Sequence, residues 1–102
     1  MISVIARIEL FDGHRAAFLV EFNKIVPHVR AEAGCIEYGP HYDIATDIVA
    51  QDPLRADTVV IIEKWESLPA LKAHLNAPHM LEYRTKVKQM VASVRLEILQ
   101  PA

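Results

Sequence analysis

The segment Thr58 to Glu66, TVVIIEKWE, constrains the fold more than any other stretch of the chain. Val59, Val60, Ile61 and Ile62 are four β-branched residues in succession, stiff at χ1 and suited to a pleated surface. In a strand successive side chains alternate between faces. Val59, Ile61, Glu63 and Trp65 therefore share one side, and Val60, Ile62, Lys64 and Glu66 the other. A strand that is apolar on both sides belongs to a sheet that is covered on both faces.

The remaining segments supply partners for it. Ile2, Val4, Ala6, Ile8 and Leu10 alternate with Ser3, Arg7 and Glu9, with Ile5 the apolar exception on the polar side, as in a half-buried strand. FDGH follows as a turn with Asp12 as N-cap. Phe18, Phe22, Ile25 and Val29 then mark one face of a helix expected over 13–33. Pro27 predicts a kink or a broken last turn, and Gly34 supplies the stop. In CIEYGPHYDI, period two puts Ile36, Tyr38, Pro40 and Tyr42 on one face and Cys35, Glu37, Gly39 and His41 on the other. Gly39-Pro40 marks an edge strand or a bulge. Residues 45–57 read as a projecting connection, with a short strand at Ile48 to Gln51. Ser67 and Pro69 open a helix to Ala77. Pro78 restarts a second helical piece, with Met80, Tyr83, Val87, Met90 and Val91 on one face. SVRLEILQ closes the chain as a strand with Val94, Leu96 and Ile98 inward.

Strand, helix, strand, strand, helix, strand is the split βαβ order of the α+β ferredoxin-like fold, a four-stranded antiparallel sheet with helices on one face. The apolar second face then asks for a symmetric dimer pressing two sheets together.

The 102 residues suit one domain, 1–102. Hydrophobic residues at 52% and charged residues at 24% describe a chain that folds. A net charge of −2 without a basic stripe gives no electrostatic basis for nucleic-acid binding. No apolar run approaches the roughly 20 residues that span a bilayer, and Arg7 and Glu9 make the N-terminus unlike a signal peptide. The lone Cys35 predicts a reducing compartment, the cytoplasm, and neither a disulfide nor a zinc framework.

Chemistry concentrates in Glu63 to Met80, which holds Glu63, Trp65, His74 and His79. The residues alone leave two readings open. Glu63 could sit in an apolar layer with His74 as hydrogen-bond partner; alternatively Glu63 and Lys64 are solvent-facing strand-end charges and Trp65 caps the core. The five-residue spacing of His74 and His79 does not put metal ligands on one helix face. His14, His28 and His41 stand alone and read as surface residues. Cys35 follows a helix rather than opening one, so nothing activates its thiol, and it reads as core. Tyr38, Tyr42 and Tyr83 read as core aromatics, one of which could extend its hydroxyl to a cavity. With three glycines, the chain has no phosphate loop, nucleophile elbow, zincin or dinucleotide motif. No cofactor is expected.

EAGCIEY, VVIIEKWES, LKAHLNAPHM and the terminal ILQPA, together with FNKIVPHVRAE and the long connection, resemble the antibiotic-biosynthesis monooxygenase superfamily over essentially the whole chain. Its bacterial quinol monooxygenase branch, which oxidises menadiol to menadione, is the most similar. The resemblance implies homodimers of ferredoxin-like subunits forming an α+β barrel, a pocket between sheet and helices, and oxidation of an aromatic substrate by O₂ without metal or flavin. It implies His74 and Glu63 as catalytic residues, His74 held by a carboxylate and deprotonating the quinol. Trp65 would form an apolar wall, with His79, Tyr83, Met80 and Tyr38 completing the substrate site. Haem-degrading relatives use an Asn on strand one that ISVIARIEL lacks. A branch that isomerises a small phosphorylated signalling metabolite keeps the A-x-H-x(3)-P-H segment and is the alternative enzyme, and a non-catalytic dimeric small-molecule binder is the alternative outside catalysis.

Overall fold

The computed structural model describes residues 1–102. In chain order its elements are β1 (Ile2–Leu10), α1 (Arg15–Arg30), β2 (Cys35–His41), β3 (Thr58–Trp65), α2 (Leu68–Leu75), α3 (Pro78–Val87) and β4 (Val91–Leu99). The four strands form one antiparallel sheet in the order β2-β3-β1-β4. This is the expected α+β ferredoxin-like arrangement, with the helical stretch after β3 divided by Pro78.

Register sets which side chains meet. Tyr38, Glu63, Val4 and Ile98 lie abreast across the four strands, so they share a face. That face is the inner one. Val4, Ala6, Ile8 and Leu10 of β1 and Val59, Ile61 and Trp65 of β3 pack there against Phe18, Phe22, Val26 and Val29 of α1 and Leu71, Met80, Tyr83 and Val87 of α2 and α3. The amphipathic stripe of α1 is thus buried as its spacing requires.

Several local expectations are corrected. Helix α1 is shorter than 13–33 and continues through Pro27 to Arg30. Its N-cap is His14, without a side-chain cap bond, and not Asp12; the turn is instead held by Asp57, whose carboxylate accepts from Gly13 N–H at 3.1 Å. Helix α2 ends at Leu75 rather than Ala77, opened as expected by Ser67, which accepts from Ala70 N–H. No strand forms at 48–51. The whole 42–57 connection is irregular and closed on itself by a bidentate Arg55–Asp43 pair at 2.8 and 3.0 Å.

Strand β2 breaks strict alternation. Cys35 pairs with Trp65 and Glu37 with Lys64, so Ile36 is the extra residue of a bulge. Cys35 therefore joins Tyr38 on the inner side, and Ile36 is left exposed. On β4, Val94, Leu96 and Ile98 face the inner side yet stay about half exposed, because the helices cover β2, β3 and β1 and stop short of this edge. On the outer side Ile5, Val60 and Ile62 are half-buried, flanked by the ion pairs Arg7–Glu97 and Lys64–Glu37.

Candidate active site

A single glycine docks two elements and creates the centre of the site. Gly34 ends the turn after α1 with φ +83°, a left-handed conformation that a side chain resists. A methyl built on it would lie 2.6 Å from Ala70 Cβ, so only glycine allows this turn to touch α2. Glu66 N–H donates to the Gly34 carbonyl at 2.8 Å and fixes the contact. Ala70 and His74 are one helical turn apart on α2 and share a face. The turn that meets Ala70 therefore delivers Glu32 to His74.

Glu32 Oε2 lies 2.9 Å from His74 Nδ1 and 2.8 Å from His79 Nε2. A carboxylate oxygen only accepts, so both of these ring nitrogens carry the proton. His74 is then an Nδ1–H tautomer whose Nε2 is a free lone pair. His74 is 2% exposed, and Nε2 makes no hydrogen bond within the protein. No fully buried side-chain nitrogen or oxygen lacks a partner, so Nε2 must open on the cavity that His74 lines. Burial lowers the His74 pKa below the ordinary imidazole value, with the Glu32 hydrogen bond and charge opposing and His79 and Arg84 adding to the fall.

Glu63 is buried, 5% exposed, in the inner layer of β3. Its Oε1 accepts from Trp65 Nε1 at 2.9 Å. The solvent-facing reading of Glu63 is thus corrected, and so is its pairing with His74: Trp65 binds Glu63, and Glu32 binds His74. Burial pushes the Glu63 carboxyl up to about 7, the Trp65 hydrogen bond works against that rise, and the Glu32 charge adds to it. Tyr38 stands edge-on to the His74 ring with centroids 5.4 Å apart. Its phenol is pushed well above its ordinary value by burial and then by the Glu63 charge, so it stays protonated as a donor.

These groups surround a cavity of about 440 Å³ between sheet and helices. His74, Glu63, Tyr38, Tyr83 and Met80 all line it, amid Ala6, Ile8, Phe22, Ile61 and Leu96. Two residues expected at its wall lie elsewhere. Trp65 is fully buried behind His74, ring centroids 4.6 Å apart, and acts on the cavity only through Glu63 and the imidazole it backs. His79 lines a second, polar cavity of about 210 Å³ together with His28, Lys24 and Lys86. Glu32 was missing from the expected set. It is 42 positions from His74 in sequence, and its signal was its place where FNKIVPHVRAE and EAGCIEY, two of the stretches that carry the resemblance, meet.

Comparison with known proteins agrees with this architecture. The family model for antibiotic biosynthesis monooxygenase matches residues 1–86. The chain is 45% identical over 103 aligned positions to a protein of Escherichia coli K12 named "Probable quinol monooxygenase YgiN", covering 99% of this chain and 98% of that one. Among solved structures, PA3566 from Pseudomonas aeruginosa superposes with a TM-score of 0.81 at 28% identity, covering 99% and 93% of the two chains. Rv0793 from Mycobacterium tuberculosis does so with a TM-score of 0.78 at 27% identity, covering 99% and 94%. With a family model spanning most of its length and a full-length relative at this identity, the chain belongs to the antibiotic biosynthesis monooxygenase family.

Proposed function

We propose that the protein oxidises a quinol or related flat aromatic diol with O₂, without a bound cofactor, and that His74 is the base. The observation that carries this reading is the His74 Nε2 lone pair opening on an apolar cavity of about 440 Å³, within the size range of small-molecule sites. The name borne by the Escherichia coli relative supports the substrate class.

In the proposed sequence His74 Nε2 takes the proton of one quinol hydroxyl. The resulting anion is electron-rich, and in an apolar enclosure it passes electrons to O₂ directly. Glu63, with a pKa of about 7 and a second oxygen free of protein partners, is suited to receive the other hydroxyl proton. The quinol loses two electrons and two protons, O₂ takes up both pairs as H₂O₂, and the product is the quinone. Tyr38 and Tyr83 offer hydroxyl donors to the substrate oxygens, while Met80 and Phe22 pack against the ring. His79 acts from outside the cavity.

Oxygen uptake with menadiol and a panel of other quinols, corrected for autoxidation, tests the reading. A fall on the order of 10²-fold in His74→Ala is expected, the scale for losing a general base; no uptake above autoxidation by the native protein would overturn it. One observation favours a second reading. Arg84 and Lys88 border the same cavity and suit a phosphorylated substrate, as in the isomerase alternative; competition by inorganic phosphate would point that way.

The working form proposed is a homodimer. Val94, Leu96 and Ile98 beside the cavity are about half exposed, and the 42–57 connection presents Ile44, Ile48, Val49 and Leu54 to solvent. Apolar surface of this extent marks an interface. Size-exclusion chromatography with light scattering should give twice the 11.5 kDa of one chain. No helix is long and apolar enough to cross a membrane, and the lone Cys35 supports the cytoplasm as the site of action.

A further inference from the structure

We propose that Glu32 and His79 are positioning residues that act through His74: one carboxylate oxygen, shared between two imidazoles, fixes the tautomer of the base and lets the protonation of His79 set its strength. The proposal rests on the reading of His74 as the base and extends it to a residue outside the substrate cavity.

The geometry carries the argument. A single atom, Glu32 Oε2, lies 2.9 Å from His74 Nδ1 and 2.8 Å from His79 Nε2. With its proton held on Nδ1, His74 cannot turn that edge to the substrate, and Nε2 is the one basic atom that His74 presents to the cavity. The two rings differ in access. The His74 side chain is 2% exposed and the His79 side chain 29%, and His79 opens on the second cavity, away from the substrate. His79 therefore meets bulk solvent while the substrate cavity is filled, and its charge is felt at His74 through the shared oxygen.

The direction follows from charge. Glu32 favours a proton on His74, whereas a proton on His79 draws on the same oxygen and disfavours it. The other groups facing His74 are Arg84 of α3 and Glu63, Trp65 and Tyr38 on the sheet. None of these touches Glu32 Oε2. Removing His79 should raise the His74 midpoint and removing the Glu32 charge should lower it.

The test is an NMR titration of the His74 ring nitrogens in the native protein, His79→Asn and Glu32→Gln, with the quinol-oxidation pH profile of each. The titration is expected to move up in His79→Asn and down in Glu32→Gln, with the lower of the two acid-side steps of kcat, the one below the Glu63 step, moving in the same directions. Glu32→Gln should lose about tenfold or more in kcat with KM little changed, since a mispositioned base still leaves the cavity intact. Should Glu32→Gln not fold, Glu32→Asp, which withdraws the carboxylate by one methylene, replaces it, and a downward shift is again expected. A merely structural role would move neither the His74 titration nor that step. His74 midpoints that stay put or shift in the same direction in both variants overturn the proposal. If the native protein oxidises no quinol, the quinol reading falls alone, and opposite shifts in the titration still support the positioning unit.

Discussion

Gly34→Ala separates backbone strain from the contact that builds the site, because the chain contains its own control. Gly13 and Gly34 both have positive φ, +78° and +83°, so an alanine at either pays the left-handed penalty of about 1–2 kcal/mol. Around Gly13 nothing lies within 4 Å of the added methyl, whereas at Gly34 it lands 2.6 Å from Ala70 Cβ. Ordinary carbon contacts need about 3.5–4.0 Å, so the turn and α2 must separate by on the order of 1 Å. Such overpacking typically costs about 1–3 kcal/mol more. Gly34→Ala should therefore destabilise by about 2–5 kcal/mol and Gly13→Ala by about 1–2. Urea denaturation monitored by Trp65 fluorescence, with unchanged m-values, measures both. The separation also withdraws Glu32 from His74, so the loss should extend to activity at substrate saturation, which Gly13→Ala should retain. Equal destabilisation by the two alanines would refute the claim that Gly34 is there to let the turn touch α2.

Glu63 contributes a pH dependence of defined sign. Its carboxyl rises from 4.5 to about 7 on folding, so the native state holds the proton more tightly and stability falls as pH rises from about 4.5 to about 7, by on the order of 3 kcal/mol. Glu63→Gln removes this term, and its stability relative to the native protein should grow across that window in parallel urea titrations; a constant difference refutes it. His74 has the opposite sign, its lowered pKa costing stability as pH falls below 6.5, and cancels in that comparison. Trp65→Phe deletes the Nε1 donor at 2.9 Å from Glu63; carbon-detected NMR should find the Glu63 carboxyl titrating above about 7, and the melt should show a loss of about 1–3 kcal/mol. Asp43→Asn breaks the Arg55 pairing that closes the 42–57 connection, so limited proteolysis should cut there faster while global unfolding hardly changes.

What was legible in the sequence was whatever local periodicity encodes. The alternation of Val4, Ala6 and Ile8, the Phe18–Phe22–Ile25–Val29 stripe and the doubly apolar Val59–Ile62 run led to the right elements and the right fold, because a side chain's face follows from its index alone. Errors of face fell where index stops determining it. One extra residue at Ile36 moved Cys35 from the outer to the inner side; the Gly39-Pro40 signal held for the edge position of β2, but the bulge lies three residues before it. Inward parity at Val94, Leu96 and Ile98 was correct but did not imply burial, since burial depends on where the helices end. The site shows the same division. Glu63 and Trp65 are two apart on a strand and were bound to share a face, but the acceptor for His74 depended on Gly34 being small enough to bring a turn 42 residues upstream against α2. Two carboxylates were available to one histidine, and the expectation of Glu63 in an apolar layer pointed to the near one. Packing chose the distant one, leaving Glu63 to Trp65 and free to hold its own proton near neutrality. That division yields two separately tuned groups facing one apolar cavity, which a direct Glu63–His74 pair would have merged into one.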